Sequence, residues 1–425
     1  MSLDPRPALP QELVDNVIDH LHNDVLTLRA CALTSRHWLP TARYHIFHLI
    51  SIWTDMDLTR FLHLLHHAPH IAPYIHILSL GEFPDTWAQD LLLLQQLLPN
   101  VNELIVNNFD FFDICDEMLD FFYNHFAGIK SLQLFGCFVE NAKDFVDLLY
   151  AKPNLESILL QSFHFHEYPD SSTPVESRRA LPQLKSISAD FSFTIDPIIE
   201  KILIHGSFPC LHTLDLEPVM VLNDFKSVTA LLKEVAPTLV NLSIPLRIET
   251  IQDTAFEQIQ RLNTFSNIPH LRSLHLHRLE LDKESTSGLL PLILSQLQPS
   301  SLNLQEILVE CTCNIDVETF ADFHHVQWTQ IDQMFFDPHF GSVKILTFQM
   351  RTRSGPHASE VDAFLGDFRA QLPYLENRGV LNVVLVPGVI RRLQPEGVYT
   401  WYDYYCVIIW ILTSFAPRRI FYPPI

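Results

Sequence analysis

Glycine is scarce in this chain, with 11 in 425 residues, well under the roughly 7% of ordinary proteins. The closest pair, Gly128 and Gly136, stands too far apart for G-x-G-x-x-G, G-x-S-x-G or a phosphate-cradling loop. Neither H-E-x-x-H nor C-x-x-C occurs, so no local pattern marks an enzyme, and none is expected. Positive charge is short as well: 28 Lys and Arg face 49 Asp and Glu, a formal net charge of −21. Such a chain repels a nucleic-acid backbone or an anionic membrane, and neither is expected as a partner. Seven scattered cysteines form no disulfide framework and read as reduced, packed thiols. The longest apolar run, YYCVIIWILTSF near the C-terminus, falls short of the ~20 residues a spanning helix needs and reads as core. With no apolar stretch in Met1–Pro10 to act as a secretory signal, the expected location is cytoplasmic, nuclear residence being left open.

Apolar residues are plentiful, 48% of the chain, and the first fifty are the most informative. In LPQELVDNVIDHL, Leu13, Val14, Val17, Ile18 and Leu21 recur at the steps of one helical face. The next stretch, NDVLTLRACALTSRHW, offers Asp24 as an N-cap and is apolar on two sides, Val25, Leu28 and Ala32 on one and Leu26, Ala30 and Leu33 on the other. TARYHIFHLI closes the segment as a third helical piece. About forty residues are usually too few to bury a self-sufficient core, so part of this surface is available to a partner or docks on the rest of the chain.

The order of residues Leu9, Pro10, Glu12, Leu13, Ile18, Leu21, Leu26, Leu28, Ala30, Leu33 and Trp38 resembles an F-box, in particular the F-box-like segment common in fungal proteins. Thr34-Ser35-Arg36-His37-Trp38 stands where many F-boxes have Val-Cys-x-x-Trp. The resemblance covers about residues 7 to 50. It implies that Leu9, Pro10, Leu13, Ile18, Leu26, Leu28 and Leu33 engage a Skp-type adaptor and, through it, a cullin ligase.

Ten windows follow with apolar residues in the pattern L-x-x-L-x-L. Their first apolar positions are Ile75, Val101, Ile129, Leu155, Leu184, Leu211, Leu239, Leu271, Leu304 and Val343, at steps of 26 to 29 residues that lengthen to 32, 33 and 39. Helical patterns such as NAKDFVDLLY and DFKSVTALLKEVA lie between them. Period and pattern resemble leucine-rich repeats over roughly residues 70 to 386. The expected fold is therefore α/β: a small helical F-box (1–53), a solenoid with a parallel concave sheet and outer helices (54–386), and a C-terminal cap (387–425).

Period-two alternation assigns Ser186, Ser188, Asp190, Thr213, Asp215, Glu217, Asn241, Ser243, Ser273, His275, His277, Glu306 and Glu310 to the concave face. That face is expected to be net acidic and to bind a protein substrate with a basic surface, with Asp190, Asp215, Glu217, His275, His277 and Glu310 as the contact residues. Phe83, Phe109, Phe138, Phe163 and Phe191 lie seven to nine residues past the first apolar positions and read as an internal spine. His63, His66, His67 and His70, and Cys311, Cys313, His324 and His325, suggest zinc only superficially, because Pro69 breaks the first set and the second fits no common spacing. No metal and no cofactor is expected. Ser171, Ser172 and Thr173-Pro174, beside Arg178 and Arg179, mark a polar loop open to phosphorylation, with plain surface insertion the simpler account.

The combined expectation is a substrate-receptor subunit of a Skp/cullin/F-box ubiquitin ligase. The alternative is a non-catalytic repeat scaffold in which the N-terminal helices serve as a cap; exposure of Leu13 and Leu28 favours the former, their burial against the first repeat the latter.

Overall fold

The computed structural model describes residues 10–81, 87–111, 121–139, 142–165, 179–190, 206–216, 225–246, 254–280, 288–297, 303–313, 326–352 and 358–387. Leu9, the apolar run near the C-terminus, the proposed cap beyond 387, the loop serines with Thr173 and Arg178, Phe83, Phe191, His324 and His325 lie outside these residues.

The chain begins with three helices, α1 (Gln11–Asp19), α2 (Val25–Thr34) and α3 (Leu39–Phe47). Asp24 caps α2 as the sequence suggests, accepting the Thr27 N–H at 3.0 Å. Val14, Ile18, Leu28, Cys31 and Ala42 form a small core of their own, closed by Leu21, Ala32, Trp38 and Ile46 and separate from the main one. Polar ties brace α1 against α3: Thr41 donates to Asp15, and His45 Nε2 meets Asp19 Oδ1 at 2.7 Å.

Twelve strands then form one all-parallel sheet in sequence order: β1 (Leu49–Ile52), β2 (Ile77–Leu80), β3 (Glu103–Asn107), β4 (Ser131–Phe135), β5 (Ser157–Gln161), β6 (Ser186–Asp190), β7 (Thr213–Leu216), β8 (Asn241–Pro245), β9 (Ser273–Glu280), β10 (Glu306–Cys313), β11 (Ile345–Thr352) and β12 (Leu381–Pro387). Helices link many neighbours, among them α4 (Asp55–His67), α5 (Ala88–Leu97), α6 (Ala142–Tyr150), α7 (Phe225–Val235), α8 (Thr254–Leu262), α9 (Leu289–Leu297), α10 (Trp328–Met334), α11 (Ala358–Gln371) and α12 (Pro373–Asn377). Strict sequential order makes this a solenoid-like α/β fold, in which each strand-and-crossover unit buries its apolar stripe against its neighbours.

The core follows from the L-x-x-L-x-L spacing. All ten first apolar positions are buried, as are the two strand positions that follow in each window, for example Leu211, Leu214 and Leu216, or Leu271, Leu274 and Leu276. In β3, β4, β5 and β7 the intervening residues stay half-exposed on the opposite face. A polar residue just before the first apolar position ties each of several units to the one before: Asn100 donates to the Pro73 carbonyl at 2.9 Å, Asn154 to Ala127 at 3.2 Å and Thr238 to Leu211 at 2.7 Å. Directly after three successive strands the backbone turns through the left-handed region, at Asn108, Gly136 and Ser162. Gly136 is required there, because a Cβ would stand 2.5 Å from Asn108 Oδ1.

Three expectations change. Strand β1, in register with β2 from Leu49↔Ile77, begins inside the segment assigned to the helical piece, so the sheet starts before residue 54. Strand β12 adds a unit beyond the tenth window. The spine is only partly phenylalanine: Phe109 and Phe163 are buried, but Cys137 takes the equivalent place and Phe138 turns outward to stack on His164 at 4.9 Å. Burial pushes the Cys137 thiol up to about 12, so it packs as an inert apolar group.

Candidate functional site

The seven N-terminal contact candidates divide. Leu13, Leu26 and Leu33 are exposed, by 51%, 60% and 89%, and Val17, which the sequence placed on the same helical face as Leu13, is 60% exposed. Ile18 and Leu28 are fully enclosed in the three-helix core and cannot be contact residues in this structure. Pro10 lies at the N-cap of α1, and Leu9 is outside the described residues. The reason for the split is the two-sided pattern of α2: Leu28 and Cys31 face α1 and α3, which leaves Leu26 and Leu33 on the solvent side. The Leu13/Leu28 criterion is therefore met in neither form. Leu13 is free, and Leu28 is buried within the helical unit rather than against the sheet.

On the open face of the sheet, strands β6 to β9 align Ser188, Asp215, Ser243 and His275 in one row. Ser188 donates to Asp215 Oδ2 at 3.3 Å, while Asp215 Oδ1 is buried with no hydrogen-bond partner. Asp190 closes β6, and Glu217 lies outside the described residues.

Three of the six predicted face residues converge. His275 Nε2 stands 3.4 Å from Glu310 Oε1, and His277 Nδ1 stands 3.4 Å from Glu310 Oε2. The imidazole rings lie 3.5 Å apart, centroid to centroid. Ser243 Oγ holds the far nitrogen of His277, Nε2, at 2.5 Å, and Arg351 on β11 reaches Glu310 Oε2 at 3.1 Å. His277 and Glu310 are buried, His275 half-buried. The flanking His275 and His277 imidazoles, aided by the Arg351 guanidinium, hold the Glu310 carboxyl well below the usual carboxylate range against the opposing effect of burial.

A bulge brings these groups together. Leu276 pairs with Val309 and Leu279 with Cys311, so β9 carries one extra residue opposite Glu310. Such a bulge bends the strand and re-aims its side chains. Alternation alone finds the face of His275, His277, Ser243 and Glu310; continued three residues past the last window, it also finds Arg351. The bulge itself leaves no signal in the sequence. Because Arg351 pairs with Glu310, the charge of that carboxylate is compensated within the chain, which modifies the expectation of an acidic contact there.

The other histidine set does not converge. The His63 and His67 rings lie tilted to one another at 4.1 Å on α4, and His67 Nδ1 is engaged by the His63 carbonyl at 2.9 Å. Cys311 is buried at the end of its alternating run. Among the described residues, no helix is long and apolar enough to cross a membrane.

No protein-family model matches this chain. No curated protein matches it either.

Proposed function

We propose that this protein is the substrate-receptor subunit of a Skp/cullin/F-box ubiquitin ligase, with an F-box-like N-terminal unit and a leucine-rich-repeat solenoid. The observation that carries the reading is a three-helix unit with its own small core that leaves Leu13, Val17, Leu26 and Leu33 in solvent. Burying four such side chains yields about 1.5 to 3 kcal/mol each before association costs, enough for micromolar binding or better. Leu13, Leu26 and Leu33 are among the residues the F-box resemblance assigns to a Skp-type adaptor, and Val17 adds to them from the face of Leu13; Ile18 and Leu28 act from within, holding α1 and α2 in place. Residues 49–387 supply the open sheet face for a target protein. In this reading the chain performs no chemistry: it tethers a target lysine near a charged conjugating enzyme and raises its effective concentration.

Co-purification with a Skp-type adaptor tests this, comparing the native chain with Leu13→Asp/Leu33→Asp. Both side chains are exposed, so the variant is expected to fold, as circular dichroism would verify. Stable 1:1 binding that the folded variant loses is the expected result. A folded native chain that binds no adaptor would leave the alternative, a repeat scaffold capped by its N-terminal helices, in which the packing of α3 on β1 and on the 3-10 turn Pro69–Tyr74 is the helical unit's whole role.

A further inference from the structure

We propose that His275, His277 and Glu310 form a binding site for a divalent first-row transition cation, zinc in the first instance, on the open face of the sheet. This inference is independent of adaptor recruitment and adds a ligand to a surface otherwise read as a protein-binding face.

The donor set is the first argument. Two imidazole nitrogens and one carboxylate are the protein ligands of zinc centres that keep a position open. Among the described residues this is the one place where three such groups bring their ligand atoms together, all within 4.8 Å of one another. Zinc bonds of 2.0–2.2 Å place the ligands of a tetrahedral centre about 3.4 Å apart. Each histidine already stands 3.4 Å from a Glu310 oxygen, His275 Nε2 from Oε1 and His277 Nδ1 from Oε2. The two histidine nitrogens lie within 4.8 Å of one another.

The surroundings supply the second. His275 Nε2 is buried and faces Glu310 Oε1 at 3.4 Å, short of full hydrogen-bond geometry. A buried polar atom left in that state is costly unless something else occupies its direction. His277 is held by Ser243 through Nε2, the nitrogen away from Glu310. Metal-binding histidines are typically oriented in this way, by a fixed partner on the nitrogen that does not ligate. The bulge in β9 sets both histidines against one carboxylate.

Arg351 is the competitor. Its guanidinium takes Glu310 Oε2 at 3.1 Å, but the side chain is half-exposed and free to swing into solvent when a cation arrives. Three protein donors leave a fourth position facing the open side of the sheet, for water or for a donor side chain of a docked protein. The site is thus suited to a metal-bridged contact rather than to a simple charge match.

The test uses the full chain, stripped with chelator and dialysed, then titrated calorimetrically with zinc chloride and spectroscopically with cobalt(II). One equivalent should bind, with the visible absorption of a four-coordinate cobalt centre. His275→Ala and the isosteric Glu310→Gln should weaken binding by at least about 100-fold, and Ser243→Ala by about 10- to 100-fold through loss of ring orientation. Arg351→Met should tighten it. His63→Ala/His67→Ala, in the exposed pair on α4, should leave it unchanged. Absence of stoichiometric binding by the native chain overturns the proposal, as does equal affinity in folded His275→Ala. Because His275 is only half-buried, that variant carries the test even if Glu310→Gln fails to fold.

Discussion

Lys152 buries its ammonium against the main-chain carbonyl of Tyr123, 3.2 Å away, and also donates to the carbonyl of His125. Tyr123 lies in the helical turn at 121–124 and His125 directly follows it, so a residue of one unit hydrogen-bonds main-chain carbonyls of the preceding one. The side chain is almost wholly enclosed, and desolvation lowers its pKa from the usual 10.5 to about 8.

A pH dependence follows from that shift. Between pH 8 and 10.5 the unfolded chain holds a proton on Lys152 that the folded chain has released, so stability rises with pH through this window and is lowest below pH 8. The shift corresponds to at most about 3 kcal/mol. Denaturant melts of the native chain and Lys152→Met at pH 7.5, 9 and 10.5 isolate the effect, since other lysines and tyrosines titrate in both proteins. A stability difference between the two that does not change with pH would refute it.

How much of this architecture was legible follows from where the information sits. All ten L-x-x-L-x-L windows supply strands because the pattern encodes burial directly. Strand β1 obeys the same rule, with Phe47, Ile50 and Ile52 one 28-residue step before Ile75, but Phe47 also ends α3 and no proline or glycine separates the two elements. Strand β12 continues it as Val380, Val383 and Leu385 after a longer step of 37. The open-face residues were readable because alternation is a local property. Their meeting was not, since register and the bulge in β9 decide which side chains touch. The F-box resemblance gave the positions of Leu28 and Ile18, but a linear motif does not separate residues that hold the helices from residues that a partner would touch.

Asp332 on α10 performs a similar tie near the C-terminal end. Its two carboxylate oxygens accept the N–H groups of Tyr374 and Leu375, each at 3.0 Å, at the start of α12. Asp332 and Leu375 are buried, so the Leu375 N–H at least has no water to turn to if the carboxylate is removed. Asp332→Ala should cost about 2 to 3 kcal/mol, more than an exposed N-cap. Asp332→Asn retains one acceptor and should cost less. Urea unfolding of the three proteins checks the order; an alanine variant within about 0.5 kcal/mol of native, the range of ordinary surface changes, would show that the bonds contribute little.

His48 joins the helical unit to the sheet and should make that junction sensitive to acid. Its carbonyl accepts from His76 N at 3.0 Å and from Ile77 N at 2.9 Å, the first bonds of the β1–β2 pairing. Its ring packs on Tyr44 and His76 at 4.9 and 5.3 Å, and its Nδ1 is buried without a hydrogen-bond partner. Burial first, then the neighbouring His76 and His45, lowers its pKa below the usual 6.5; Asp19 is engaged by His45. The unfolded chain therefore takes up a proton before the folded one does. The stability that neutral His48 contributes is present above pH 6.5 and is lost as pH falls through the lowered folded value. Hydrogen exchange of the amides at 49–52 and 77–80 should accelerate between pH 7 and 5 beyond the intrinsic pH dependence, and His48→Phe, which carries no titrating group, should remove the excess. Protection that is constant after that correction would mean that the junction tolerates the charge.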